Sequence, residues 1–210
     1  MSAQAPPPPP PRFIWDVANS TAMIDLGTST LWYTFNDVEL AKRVFCVRPD
    51  DMTAGQAVAR GHNDSHMLAF SGDMSMKAQC CTQSVLIGAN HLDFKEWYTS
   101  LAATNRFLAL MADRVGFTAY LQRLSGGDAQ RNSVFWEHEK ADAVDAFFGA
   151  VAADCGGNMI KFDGLMRAFG IFYPRDAAEQ SLLAADMTLA NQVGLAEEQR
   201  RRALGYPVRR

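Results

Sequence analysis

The densest set of side chains able to do chemistry is the run HNDSHMLAFSGDMSMKAQCC at 62–81, with His62 and His66 four apart, then Met67, Met74, Met76, Cys80 and Cys81. Imidazole, thioether and thiolate together select soft or borderline ions such as copper(I) and zinc. The His pair lacks the glutamate of a zinc-protease helix, and methionines at such intervals also serve as core filler. Nucleophilic chemistry would require Cys46 or Cys155 to meet His91 or His138 in space. No CxxC, GxSxG, Walker A or GxGxxG pattern occurs, so redox, hydrolase, nucleotide and dinucleotide readings have no motif behind them. The acids Glu137, Glu139, Asp142 and Asp145 read as a solvated helix face rather than as general acids. The arginines Arg200, Arg201 and Arg202 complement a helix C-terminus and offer a small docking point for a polyanion.

Elements must position these groups, and composition limits which ones. A chain of 210 residues with 48% hydrophobic residues can build a substantial core. A net charge of −3 argues against a broad nucleic-acid footprint, which leaves only the local arginine cluster for such contacts. The four unpaired-looking cysteines fit a reducing compartment, and the sequence shows neither a secretory leader nor an apolar run of membrane-spanning length. The expectation is an intracellular, cytoplasmic protein without membrane association.

The proline run at 6–11 favours an extended polyproline II segment in a disordered tail, either as a spacer or as a ligand for an aromatic groove. Residues 24–35 carry the β-branched and aromatic content of one short strand, and Asn36 with Glu39 three residues on marks a helix start. Residues 48–61 read as loop. Phe94, Trp97, Leu101, Leu108, Met111 and Val115 define one helical face, and the paired glycines in 124–132 a loop. Val144, Phe147, Phe148 and Val151 predict a helix ending at DCGGN, and Phe162, Leu165, Met166 and Phe169 another ending at Gly170. Asp176 with Glu179 caps a further helix through Ala185, and a last helix is expected over 195–204.

The stretches GGNMIKFDGLMRAFG and AADMTLANQVGLAEE, with this helix–loop–helix rhythm, resemble the EF-hand superfamily, specifically calmodulin-like paired hands. The resemblance makes Ile160 and Val193 the aliphatics that bridge the two loops, and a weaker copy would place Val58 and Leu92 likewise. Calcium wants about six to eight oxygens from alternate loop positions. The last loop offers Asp186, Thr188 and Glu197 at the first, third and twelfth positions, but Ala190 offers nothing at the fifth. Of the other three loops, the one before Ile160 has no carboxylate at these positions, the Val58 loop has Asp51 first but His62 twelfth, and the Leu92 loop keeps Glu96 twelfth but has Val85, Ile87 and Ala89 for the early acids. Calcium binding is therefore expected to be mostly or wholly lost and no cofactor is called for.

The sequence thus predicts a mainly α protein of two helix–loop–helix lobes joined by a helical linker: a tail at 1–12, lobes at 13–97 and 142–204, the linker at 98–141 and a basic tail at 205–210. The implied function is that of a non-catalytic adaptor or assembly subunit, in which Phe147, Phe148, Phe162, Met166, Phe169 and Leu183 line an apolar groove for a protein partner. The alternatives are a self-assembling helical coat or filament protein and a small soft-metal or thiol-dependent enzyme.

Overall fold

Residues 10–47, 65–99, 104–125, 128–130 and 135–205 are described by a computed structural model. The chain is mainly helical, as periodicity predicts, and carries two small three-stranded sheets among the described residues. The loop expected at 48–61 and most of the proline run fall outside the described residues.

The chain opens as an antiparallel meander of β1 (Arg12–Asp16), β2 (Thr21–Asp25) and β3 (Thr30–Thr34). Strand alternation puts Phe13, Ala22, Ile24 and Tyr33 inward, with Phe13 opposite Ile24 across the pair. The single strand expected over 24–35 is split because Gly27 takes a left-handed turn (φ 78°) and donates its N–H to the Asp25 carboxylate.

Next comes α1 (Val38–Val44), capped by Asp37, whose carboxylate accepts the N–H groups of Glu39 and Leu40. Asn36, the expected cap, is drawn elsewhere. Its N–H and that of Asp37 donate to the carboxylate of Asp154, at 3.0 and 2.7 Å, and the Tyr33 hydroxyl donates to the same group at 2.7 Å. Burial alone would raise the pKa of Asp154, but the donated hydrogen bonds outweigh it and hold the carboxyl below its ordinary value. This raises stability above the unfolded carboxyl pKa, and the gain is lost as pH falls through the folded value. Replacing Asp154 by Ala is expected to cost about 2 kcal/mol in urea unfolding at neutral pH, with the deficit shrinking in acid.

After β4 (Cys46–Val47), the long α2 (His66–Leu86) is followed by α3 (His91–Trp97) and α4 (Asn105–Arg114). A 3₁₀ turn at Phe117–Tyr120 leads to β5 (Gln122–Ser125) and β6 (Asp128–Gln130). β5 pairs with β4 in parallel and with β6 antiparallel, so a hairpin occupies part of the loop expected at 124–132. The continuous face predicted from Phe94 to Val115 belongs to two helices, α3 and α4.

The centre of the molecule is α5 (Glu137–Asp154), followed by α6 (Met159–Ala168) and α7 (Ala177–Ala203). Small residues on α5 let α2 approach until a Cβ added at Gly149 would lie 1.9 Å from the Leu68 carbonyl oxygen. Around α5 collects one aromatic core in which Phe13, Phe117, Phe147 and Phe169 meet edge to face or stacked. The core cluster runs from Phe13 through the expected linker residues Phe107 and Met111 to Met187, so α4 is interior rather than a connector between two lobes.

The largest departure from the expected pattern is α7. It is one helix from Ala177 to Ala203 and passes without a break through 186–194, where the last loop was expected. Neither glycine nor proline interrupts the stretch before Gly194, and its Ala, Leu, Met, Gln and Glu residues are good helix formers. Ile160 and Val193, expected to bridge two loops, sit in α6 and α7 with exposed side chains.

Candidate functional site

The structure redistributes the residues singled out in the sequence. All six expected groove residues belong to one buried core cluster, in which Phe148 lies 5.6 Å from Phe162, 5.3 Å from Phe169 and 5.2 Å from Phe147 between ring centroids. They form no open groove, however. All are buried, and Phe13 of β1 packs against Phe147 at 5.7 Å and Phe169 at 5.9 Å, so the chain's own N-terminal strand fills the space reserved for a partner helix. Leu183 is buried in the same core cluster and also lines the wall of a cavity described below.

The expected calcium ligands are corrected likewise. Glu197 stands eleven positions after Asp186 in one helix, which at helical rise places them about 16 Å apart and prevents joint ligation of one ion. Asp186 forms a two-point ion pair with the Arg114 guanidinium, Thr188 donates to the Ala184 carbonyl, and Glu197 accepts the N–H of Glu137 at the start of α5. Each has a structural occupation. Arg201, expected at a polyanion site, is buried with its guanidinium 4.9 Å from the Trp136 ring, whereas Arg200 and Arg202 are exposed, Arg202 pairing with Glu198.

The soft-ligand run is outside the described residues at His62 and helical from His66 onward. Fourteen residues of helix put His66 about 21 Å from Cys80. Met67 and Met74 face solvent while Met76 and Cys80 are buried, and among the described residues no three His, Cys, Asp or Glu side chains converge as a metal site. Burial, followed by the Asp163 charge, pushes the Cys80 thiol up to about 12, and burial raises that of Cys46, so neither favours the thiolate that nucleophilic chemistry needs. The acid run of α5 is not a solvated face either. Glu139 is buried and accepts the Trp136 N–H, while burial, then the charges of Asp73 and Asp142, raises Asp145 to about 8.

A site that sequence reasoning missed lies where α2 ends, α3 begins and α7 starts. Gly88 closes α2 in a left-handed conformation (φ 74°), and Asn90 caps α3 by accepting the Asp93 N–H. On the opposite side, Asp176 accepts the N–H groups of Ala178 and Glu179 to start α7. Gln83 ties the two sides together: its carbonyl oxygen accepts the Tyr173 N–H at 2.6 Å, and its amide donates to Asp163 at 2.6 Å.

Between these elements is a cavity of about 610 Å³. Trp97 and Tyr173 form its aromatic walls, their rings edge to face at 5.0 Å, with Phe94 packed behind both. Ile87 and Leu183 supply aliphatic wall, and the rim carries Asp93, Glu96 and Asp176 against one base, Arg175, which is paired with Glu179. Trp97 is only 8% exposed, yet its indole N–H has no hydrogen-bond partner. Leaving such a donor unsatisfied costs about 1–3 kcal/mol. Burial, then the Asp93 charge, raises the Tyr173 hydroxyl above its ordinary pKa, keeping it neutral near pH 7.

A second cavity of about 490 Å³ shares Ile87 and Arg175 with the first. Its aliphatic walls are Leu86, Met159 and Ile160; Leu86 is 80% and Ile160 86% exposed. Its polar side is Gln79 and Arg167, both held by Asp163. The two cavities form one surface, aromatic at one end and aliphatic at the other. Legible signals were present in the sequence: HLDFKEWY carries three aromatics within five residues, and SVLI closes α2 with three aliphatics. Their assembly with Tyr173 and Ile160 depends on a chain reversal that periodicity does not encode.

Among the described residues no helix is long and apolar enough to cross a membrane. Compared with known proteins, the chain matches no family model, no curated protein and no solved structure.

Proposed function

We propose that the protein is a non-catalytic binding subunit that takes an apolar segment of a protein partner on the surface formed by α2, α3, α6 and the start of α7. The observation that carries this reading is the continuity of an exposed aliphatic patch, Leu86, Ile87, Met159 and Ile160, with an aromatic cavity. Contiguous exposed apolar surface of this kind marks interaction sites in soluble domains. The acidic rim gives the partner segment a sign: it should carry basic or neutral residues beside its apolar ones.

Photo-crosslinking tests the proposal directly. A photoreactive phenylalanine analogue replacing Ile160 in cells is expected to trap a discrete protein species, and a second change, Leu86→Asp, is expected to abolish it. Absence of any crosslinked species from Ile160, with ordinary recovery of the folded protein, would remove the reading. A crosslink solely to another copy of this chain would favour the self-assembling alternative.

A further inference from the structure

Helix α2 is apolar on two opposite faces, and the fold of one chain uses only one of them. Leu68, Ala69, Gly72, Met76 and Cys80 are buried on the side from which α2 meets α5. On the other side Met67, Phe70, Met74 and Val85 are 50–70% exposed, and Ala78 and Cys81 between them are exposed as well. Steps of three and four residues keep all six within about 80° of arc, in a straight line about 27 Å long.

The outer face of a surface helix ordinarily carries charge, and this line carries none. Asp73 and Lys77 are the formal charges of the 21-residue helix, and both turn to one flank. There the Tyr98 hydroxyl donates to the Asp73 carboxylate at 2.7 Å, and the Lys77 ammonium stands 5.3 Å from the Tyr98 ring centroid. A helix apolar all round belongs in an interior. The surface proposed above for a protein partner reaches α2 on the opposite flank, at Gln79, Gln83 and Leu86, and overlaps the line only at Ala78.

The order of sizes along the line says what covers it. Large side chains, Met67, Phe70 and Met74, occupy its N-terminal half, and smaller ones, Ala78, Cys81 and Val85, its C-terminal half. A second copy running antiparallel, with a two-fold axis at the level of Met76, sets large against small throughout: Met67 against Val85, Phe70 against Cys81, Met74 against Ala78. The pairing is isologous, so each match occurs twice. A parallel copy would set Phe70 on Phe70 and Ala78 on Ala78, overpacked at one end and hollow at the other. Taking about 200 Å² for a whole side chain, the four large exposures amount to roughly 500 Å² per copy, so a pair with Ala78 and Cys81 included exceeds the ~1,000 Å² that a specific interface needs. A lipid surface would call for several Lys or Arg beside the apolar line, and α2 supplies Lys77 alone.

We propose that the protein forms an antiparallel two-fold dimer through the outer face of α2, with Phe70 of each copy seated on Cys81 of the other.

Sedimentation equilibrium of the full chain under reducing conditions is expected to show a dimer. Phe70→Glu should raise the dissociation constant at least about thirtyfold, as loss of a central interface anchor does. Because Phe70 is exposed, the variant should keep the far-ultraviolet circular dichroism of the wild type. Copper-phenanthroline oxidation then reads the orientation. Phe70→Cys should give a dimer linked from position 70 to Cys81 of the second copy, and Cys81→Ser in the same chain should abolish that link. The wild type should form no Cys81–Cys81 disulfide, since the two sulfurs stand about 15 Å apart along the antiparallel helices. A wild-type chain that stays monomeric at about 100 μM overturns the proposal, as does a dimer that Phe70→Glu leaves intact. A Cys81–Cys81 link in the wild type overturns the antiparallel order.

Discussion

Gly72→Ala and Gly149→Ala are each expected to destabilise the protein by about 3–5 kcal/mol, enough to lower the melting temperature by roughly 10 °C or to prevent soluble expression. The two glycines face each other where α2 crosses α5. A Cβ on Gly72 would stand 1.8 Å from the Asp145 carbonyl oxygen and 2.8 Å from the Gly149 nitrogen; one on Gly149 would stand 1.9 Å from the Leu68 carbonyl oxygen. Those obstacles are backbone of well-ordered helices, so the strain cannot be relieved by rotating a side chain. The helices would have to separate, opening the core around Val144 and Phe148. Gly164 in α6 is the control. A Cβ there meets nothing within 4 Å, so Gly164→Ala should raise stability by about 0.5–1 kcal/mol through helix propensity alone. Thermal unfolding followed by circular dichroism reads all three. A Gly72→Ala protein that melts with the wild type would show that the α2–α5 crossing is looser than described.

The second large effect is a stability that falls as pH rises through the neutral range, and it is assigned to Asp145. Its carboxyl is raised to about 8, first by burial and then by the charges of Asp73 and Asp142, and one of its oxygens is buried without a hydrogen-bond partner. In the unfolded chain the same group ionises near pH 4. Between those values the folded state therefore holds a proton that the unfolded state has released. Its contribution to stability is fully present below the unfolded pKa and is lost as pH rises through the folded one. From pH 6 to pH 8 the loss should be about 2 kcal/mol. Asp145→Asn, which mimics the protonated form, should flatten this dependence and make the variant the more stable protein at pH 8 and above. Denaturant melts at several pH values decide the matter. An unchanged slope in the variant would assign the dependence to another group. Asp154 has the opposite sign, since its pKa is lowered, so the two acids bracket a stability maximum on the acidic side of neutrality.

How much of this was legible in the chain differs from element to element. The amphipathic repeats Val144–Phe147–Phe148–Val151 and Phe162–Leu165–Met166–Phe169 predicted α5 and α6, and glycines at 156, 157 and 170 predicted where they stop. Asp176 was legible as the cap of α7 because capping is a local event between a carboxylate and N–H groups two and three residues on. The class, mainly α, followed from these local signals. α2 was obscured because its chemistry-bearing residues, Met67, Met74, Cys80 and Cys81, drew attention as ligands although they are distributed around one helix.

What the tertiary structure decided is everything that requires a partner distant in sequence. Whether Phe147 and Phe169 line a groove or fill a core depended on Phe13, more than a hundred residues away, which periodicity cannot place. Whether Asp186 and Glu197 were ligands or structural anchors depended on Arg114 and on the start of α5, whose groups they satisfy. The exposed surface that remains, Trp97 with Tyr173 and Leu86 with Ile160, is likewise a product of docking α3 and α6 against α2 and α7. Backbone hydrogen bonds and caps act over a few residues and are written in order along the chain; burial is a competition among all apolar side chains at once, and only the folded chain resolves it.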